Sequence, residues 1–178
     1  MFPGRRNRWV TFDCDGTLVG RSVPPLLPQH DARAQTGKSW PAVRPLEDVE
    51  PLLAELRQRG YRLGVLTNCD DDLFARSAAR LQTDFDWVVT AQRARGYKPN
   101  PHNFEVALEH IGLPRDKILH VAQSLFHDHV PAKKMGLATV WIDRRAGRPG
   151  SGATPPAKAK PDATFSNMAS FAEAATAG

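Results

Sequence analysis

Long apolar runs are missing from this chain. Nowhere in its 178 residues is there a stretch near the roughly 20 apolar positions that a membrane span needs, so an integral membrane protein is not expected. Cysteine is scarce: Cys14 and Cys69 cannot build a disulfide framework and read as reduced, small core residues. The N-terminal stretch MFPGRRNRWV has basic residues but no apolar signal core, which with the reduced cysteines predicts a cytoplasmic protein. Aromatic interleaving is absent from the basic segments. The formal charge of +5 gathers at Arg5, Arg6 and Arg8 and again at Arg144, Arg145, Arg148, Lys158 and Lys160, so it reads as a solubilising fringe and no nucleic-acid partner is expected. Internal repeats are also absent.

What is present is enough apolar material for a core, 41% of the residues, and a length that suits one domain over 1–178. Apolar, β-rich runs alternate with helical patterns. RWVTFD (8–13), YRLGVLT (61–67), DWVVT (86–90), KILHVA (117–122) and ATVWID (138–143) read as strands, the middle ones continuous enough to be covered on both faces. Leu46, Val49, Leu52, Leu53 and Leu56 recur at helical spacing up to Gly60, and further helices are expected over Asp71–Leu81, Pro101–Ile111, Val130–Met135 and Asn167–Ala175. This alternation implies an α/β fold with a doubly wound parallel sheet. Two segments break the rhythm: 19–45, rich in proline and polar residues, reads as an ordered loop or short excursion, and 146–161 reads as a flexible low-complexity linker.

In such sheets ligands gather beyond the carboxyl ends of the strands. There the sequence places Asp13 and Asp15 after the first strand, Thr67 and Asn68 after the second, Lys98 of GYKPNP after the third, and Gln123, Ser124 and Asp128 of VAQSLFHD after the fourth. Two carboxylates two residues apart on extended backbone can share a side, and Gly16 permits the turn that follows. Taken singly, the aspartates could cap a turn, and Thr67 with Asn68 could be a strand-end turn; together with Lys98 and Asp128 they suggest a reaction centre. His127 and His129 read as one exposed and one packed ring, not as metal ligands.

FDCDGTL, VLTN, YKP and HVAQSLFHD, in that order, resemble the four motifs of the haloacid dehalogenase-like hydrolases, over about residues 8–145. The resemblance implies a Rossmann-like core. It makes Asp13 the nucleophile of a covalent aspartyl intermediate, Asp15 the proton donor and then base, and Lys98 the balancing cation. Thr17, Thr67, Asn68 and Ser124 would meet a small anionic substrate, and Mg2+ would bind Asp13, the main chain of Asp15, Asp128 and Gln123.

The chain departs from that pattern where Gln123 replaces the usual metal-binding acid. YKPNP and HVAQSLFHDH resemble the type II 2-haloacid dehalogenase branch, which attacks carbon without metal but usually lacks an acid at the position of Asp15. The helical cap of that branch does not fit in 19–45, so a capless or minimally capped core is expected, and a homo-oligomer is one way to cover the open site. Three readings follow: a magnesium-dependent phosphomonoesterase, the favoured one because of Asp15 and the short insert; a metal-independent 2-haloacid dehalogenase, which Gln123 and the branch resemblance support; and a non-catalytic binding module.

Overall fold

A computed structural model describes residues 9–14, 17–21, 43–145 and 154–177. In chain order the elements are β1 (Trp9–Phe12), β2 (Val19–Arg21), β3 (Val43–Pro45), α1 (Glu50–Gln58), β4 (Arg62–Leu66), α2 (Asp71–Leu81), β5 (Trp87–Val89), α3 (Ala91–Ala94), α4 (Pro101–Ile111), β6 (Ile118–Ala122), α5 (Val130–Lys134), β7 (Ala138–Ile142), β8 (Ala163–Phe165) and α6 (Met168–Thr176). One turn of 3-10 helix (Arg115–Lys117) precedes β6 and a π-helical turn (Leu125–His129) precedes α5.

Six strands form one parallel sheet in the order β5-β4-β1-β6-β7-β8. This is the Rossmann-like α/β arrangement that the alternation of strands and helices predicts. From β1 the chain builds outward through β4 and β5, then crosses back to β6 on the other side. The reversal opens a crevice beyond the end of β1, where Asp13 stands.

The helix α4 starts and stops where its local chemistry requires. Asn100 caps α4 by accepting from the His102 N–H at 3.0 Å, Pro101 opens it, and Gly112 ends it at φ +66°. The sheet buries both faces. Val10, Phe12, Leu63, Val65, Leu119 and Val121 pack under α1, α2 and α6, while Ile118 and Leu66 pack with Phe104, Ala107 and Ala132 of α4 and α5. Because side chains alternate along a strand, Thr11 of β1 and His120 of β6 fall on the second face, side by side in the parallel register.

Three features were not expected. β8 adds a sixth strand at the edge, three residues long with Thr164 exposed between half-buried Ala163 and Phe165, too short to carry a periodic signal. α3 is likewise a short helix that no periodicity announced. The segment 19–45 is not wholly loop, because its ends pair antiparallel, Val19 opposite Pro45; residues 22–42 lie outside those described. No helix among the described residues is long and apolar enough to cross a membrane.

Gly64 is fixed by packing. A Cβ there would fall 2.0 Å from the ring of Trp87, its partner in β5, and that ring is only 4% exposed. Gly64→Ala should therefore cost about 1–3 kcal/mol or more, as overpacking does. Chemical denaturation checks this; a midpoint equal to that of the parent chain would show that the indole moves freely.

Candidate active site

Lys98 organises the crevice. It enters from the loop after α3, and its backbone is gripped by one side chain: Asn68 Oδ1 accepts from the Lys98 N–H at 2.7 Å while Asn68 Nδ2 donates to the Lys98 carbonyl at 3.0 Å. The peptide bond to Pro99 is cis. The ammonium has three protons and three acceptors: Asp13 Oδ1 at 2.8 Å, Asp128 Oδ1 at 2.6 Å and the Leu66 carbonyl at 2.8 Å. The lysine side chain is 1% exposed and that of Asp13 10%.

Burial alone would discharge such a cation. The two carboxylates reverse that effect and hold its pKa above the ordinary lysine value. Asp128 sits in the same balance: burial would raise it, but Lys98 and His120 hold it well below the usual carboxylate range. Asp13 goes the other way, because burial and the charge of Asp128 outweigh the pull of Lys98, and its pKa is raised. A more basic carboxylate is a better nucleophile, and Asp13 is the more exposed of the two acids.

Thr17 steadies the second oxygen of Asp13. Its hydroxyl donates to Oδ2 at 3.3 Å and accepts from the Gln123 N–H at 3.0 Å, and the Gln123 carbonyl accepts from Trp141 Nε1 at 2.9 Å. The Thr17 carbonyl is in turn held by Arg144, which forms a bidentate pair with Asp48 at 3.1 Å on both bonds. The turn after the nucleophile is thus anchored to β7 and to the approach to α1.

The remaining candidates are mostly engaged locally. Thr67 Oγ1 accepts from the Cys69 N–H at 3.2 Å, and Ser124 caps the π-helical turn by accepting from the His127 N–H at 3.0 Å. Asn68 acts on the lysine loop. Asp15 lies outside the described residues. Sequence reasoning missed His120 and Thr11, which back Asp128; the one signal was a single histidine inside the apolar run of β6. His127 is half-buried and His129 fully buried, so one ring is packed as expected, though neither is fully exposed.

Magnesium fits the described residues poorly. They hold no group of three or more His, Cys, Asp or Glu suited to a metal ion. One oxygen of each carboxylate is already on Lys98, and Gln123 contributes no charge. Asp128, expected as a ligand, gives Oδ1 to Lys98 and His120, and its buried Oδ2 has no hydrogen-bond partner.

An aspartate-lysine-aspartate set at the switch point of a doubly wound sheet now has a match. The model of the family described as "Haloacid dehalogenase-like hydrolase" covers residues 22–142. The chain belongs to that family. Among curated relatives it is 32% identical over 104 residues to haloacetate dehalogenase H-2 of Moraxella sp. (strain B), covering 57% of this chain and 46% of the relative. It is 31% identical over 102 residues to glyceraldehyde 3-phosphate phosphatase of Pyrococcus abyssi, covering 56% and 43%. The chain thus spans less than half the length of these relatives. L-2-haloacid dehalogenase from Xanthobacter autotrophicus has the same fold, with a TM-score of 0.74, 16% identity and coverage of 97% and 100%.

Two outcomes follow. Lys98→Met strips a buried carboxylate pair of its cation and should cost about 3–5 kcal/mol of stability; denaturation of the variant measures it, and an unchanged midpoint would mean that the two acids are not held by this contact. His129 donates from Nε2 to the Ala122 carbonyl at 3.0 Å, and burial leaves its pKa near 4, below the 6.5 of an exposed ring. Between those values the unfolded chain binds a proton that the folded chain refuses. Stability should therefore fall as pH drops from 6.5 towards 4, by on the order of 3 kcal/mol. His129→Leu should flatten that slope; an identical slope would assign it to other groups.

Proposed function

We propose that this chain is a hydrolase that works through a covalent ester on Asp13, with Lys98 as its built-in cation, and that its substrate is a short 2-haloacid. The observation that carries the reading is the Lys98 ammonium in contact with both Asp13 and Asp128, beside a position where Gln123 stands in place of an acid. The site's charge is balanced by a side chain instead of a bound cation.

Asp13 Oδ2, held by the longer Thr17 bond, attacks the carbon that bears the halogen, and the halide departs with the bonding pair. Water then attacks the Asp13 carbonyl of the ester and the ester C–O bond breaks; one proton of the water goes to the departing alkoxide oxygen, giving the 2-hydroxy acid, and the other goes to solvent as the Asp13 carboxylate is freed. Halide leaves as a stable anion and needs no proton. That suits a site whose second described acid, Asp128, is committed to Lys98 and His120 and held well below the usual carboxylate range. The similarity to haloacetate dehalogenase H-2 supports the same chemistry.

Phosphomonoester hydrolysis is the second reading. It is favoured by Asp15, two residues after the nucleophile and able to protonate an alkoxide leaving group, and by the likeness to glyceraldehyde 3-phosphate phosphatase. Magnesium would be required there to offset phosphate charge, with Asp15 completing a ligand set that the described residues lack.

Assaying 2-chloropropionate and p-nitrophenyl phosphate side by side, each with magnesium and with a chelator, separates the two. Halide release that survives the chelator supports the first reading, whereas phosphate release that requires magnesium moves the assignment to the second. Asp13→Asn should abolish whichever activity is found while leaving the fold intact, since an amide of the same shape is no nucleophile. Retention of most of the rate in that variant would end both readings.

A further inference from the structure

β6 carries one ionisable side chain inside an otherwise apolar run. His120 is 1% exposed, flanked by Leu119 and Val121, and Phe104 of α4 meets its ring edge-on at 5.3 Å between centroids. Its Nε2 lies 3.0 Å from Asp128 Oδ1 and its Nδ1 2.7 Å from Thr11 Oγ1. Its hydrogen bonds thus run to Asp128 and Thr11, and it reaches Asp13 through Asp128 and Lys98.

The proton positions follow from the acceptors. An ionised carboxylate oxygen can only accept, so Nε2 carries a proton. The Thr11 hydroxyl has one proton to give and two acceptors within reach, Nδ1 at 2.7 Å and the Leu119 carbonyl at 3.5 Å. The short contact takes it. Donation then runs in one direction, from Thr11 to His120 to Asp128.

We infer that His120 is a positioning residue for the reaction, its Nε2–H set by the Asp128 carboxylate and its ring steadied by Thr11, and that it fixes in turn which oxygen of Asp128 faces Lys98. Oδ1 of Asp128 receives both Lys98 and His120, while the buried Oδ2 has no hydrogen-bond partner. A carboxylate can turn about its Cβ–Cγ bond, and the ammonium alone would be served by either oxygen. The imidazole N–H removes that freedom, because only the observed orientation satisfies both donors at once. The Leu66 carbonyl, fixed in the strand, sets the third contact of the ammonium, so locking Asp128 locks Nζ against Asp13 Oδ1. Outer partners of this kind, which aim an inner residue, are worth about 10–100-fold in activity where they have been measured at metal sites.

The inference rests on the reading of Asp13 as nucleophile and Lys98 as its partner, so its test needs a readout that works without turnover. In the full chain, proton–nitrogen correlation NMR should show His120 protonated at Nε2 and not at Nδ1, and the Lys98 ammonium protons should exchange slowly with water. His120→Leu should speed that exchange at least about 10-fold, whereas His120→Gln, whose amide N–H can reach the same carboxylate, should not. Thr11→Val keeps the shape of its parent, and the His120 ring should stay protonated at Nε2, because the Asp128 carboxylate still only accepts. On whichever of 2-chloropropionate or p-nitrophenyl phosphate is turned over, His120→Leu should lower kcat about 10–100-fold with little change in KM, and His120→Gln should recover most of it. A proton on Nδ1, equal ammonium exchange in the Leu and Gln variants, or a Thr11→Val ring without a proton on Nε2 would overturn the inference. Full activity of Asp13→Asn would instead remove the functional reading and leave the NMR result standing.

Discussion

Two carboxylates buried at the end of a parallel sheet repel each other and have lost the water that would solvate them; the ammonium of Lys98 is what makes the arrangement tenable. It touches Asp13 and Asp128 at 2.8 and 2.6 Å, and its third proton is spent on the Leu66 carbonyl. Removing one charge from such a set leaves the others uncompensated, so the acids and the lysine depend on one another. The same contact divides the labour between the aspartates. Asp128 is held well below the usual range and is the more deeply buried of the two, whereas Asp13 is raised and keeps slightly more contact with solvent.

The fold exists around this contact in a definite sense. β1 delivers Asp13, β4 delivers the Leu66 carbonyl, β6 leads into the turn that carries Asp128, and the loop after α3 delivers Lys98. The parallel register of β1 and β6 then places Thr11 beside His120, directly behind Asp128. None of these placements is local in sequence. Asp13 and Lys98 are 85 positions apart, and Thr11 and His120 are 109 apart. Backbone clamps hold the ends of that span: Asn68 grips the lysine loop by two hydrogen bonds, and Arg144 with Asp48 ties down the turn at Thr17.

Much of this was legible in the sequence because its signals are periodic or punctuated. Five strands and five helices announce themselves by apolar spacing and by stops such as Gly60 and Gly112, and the order of strands puts Asp13, Lys98 and Asp128 beyond neighbouring ends. What could not be read depends on register and packing. That His120 meets Thr11 needs the pairing of β1 with β6, which no single stretch contains. Asn68 looked like a substrate contact because its place is right; only the loop geometry shows that it holds the Lys98 backbone. β8 is too short to carry a period, and the contact of Gly64 with Trp87 joins two strands whose alignment the sequence does not state.

The central claim is that Asp13, held by Lys98, forms the covalent bond without help from a divalent cation. Single turnover of 2-chloropropionate in water enriched in heavy oxygen, with a chelator present, tests this most directly. Attack of Asp13 on the substrate followed by attack of water on the resulting ester must leave labelled oxygen in the Asp13 carboxylate, readable by mass spectrometry of its peptide. The account predicts label at Asp13 and unlabelled product. Label in the hydroxyl of the product and none in the peptide would mean direct attack by water and would contradict it.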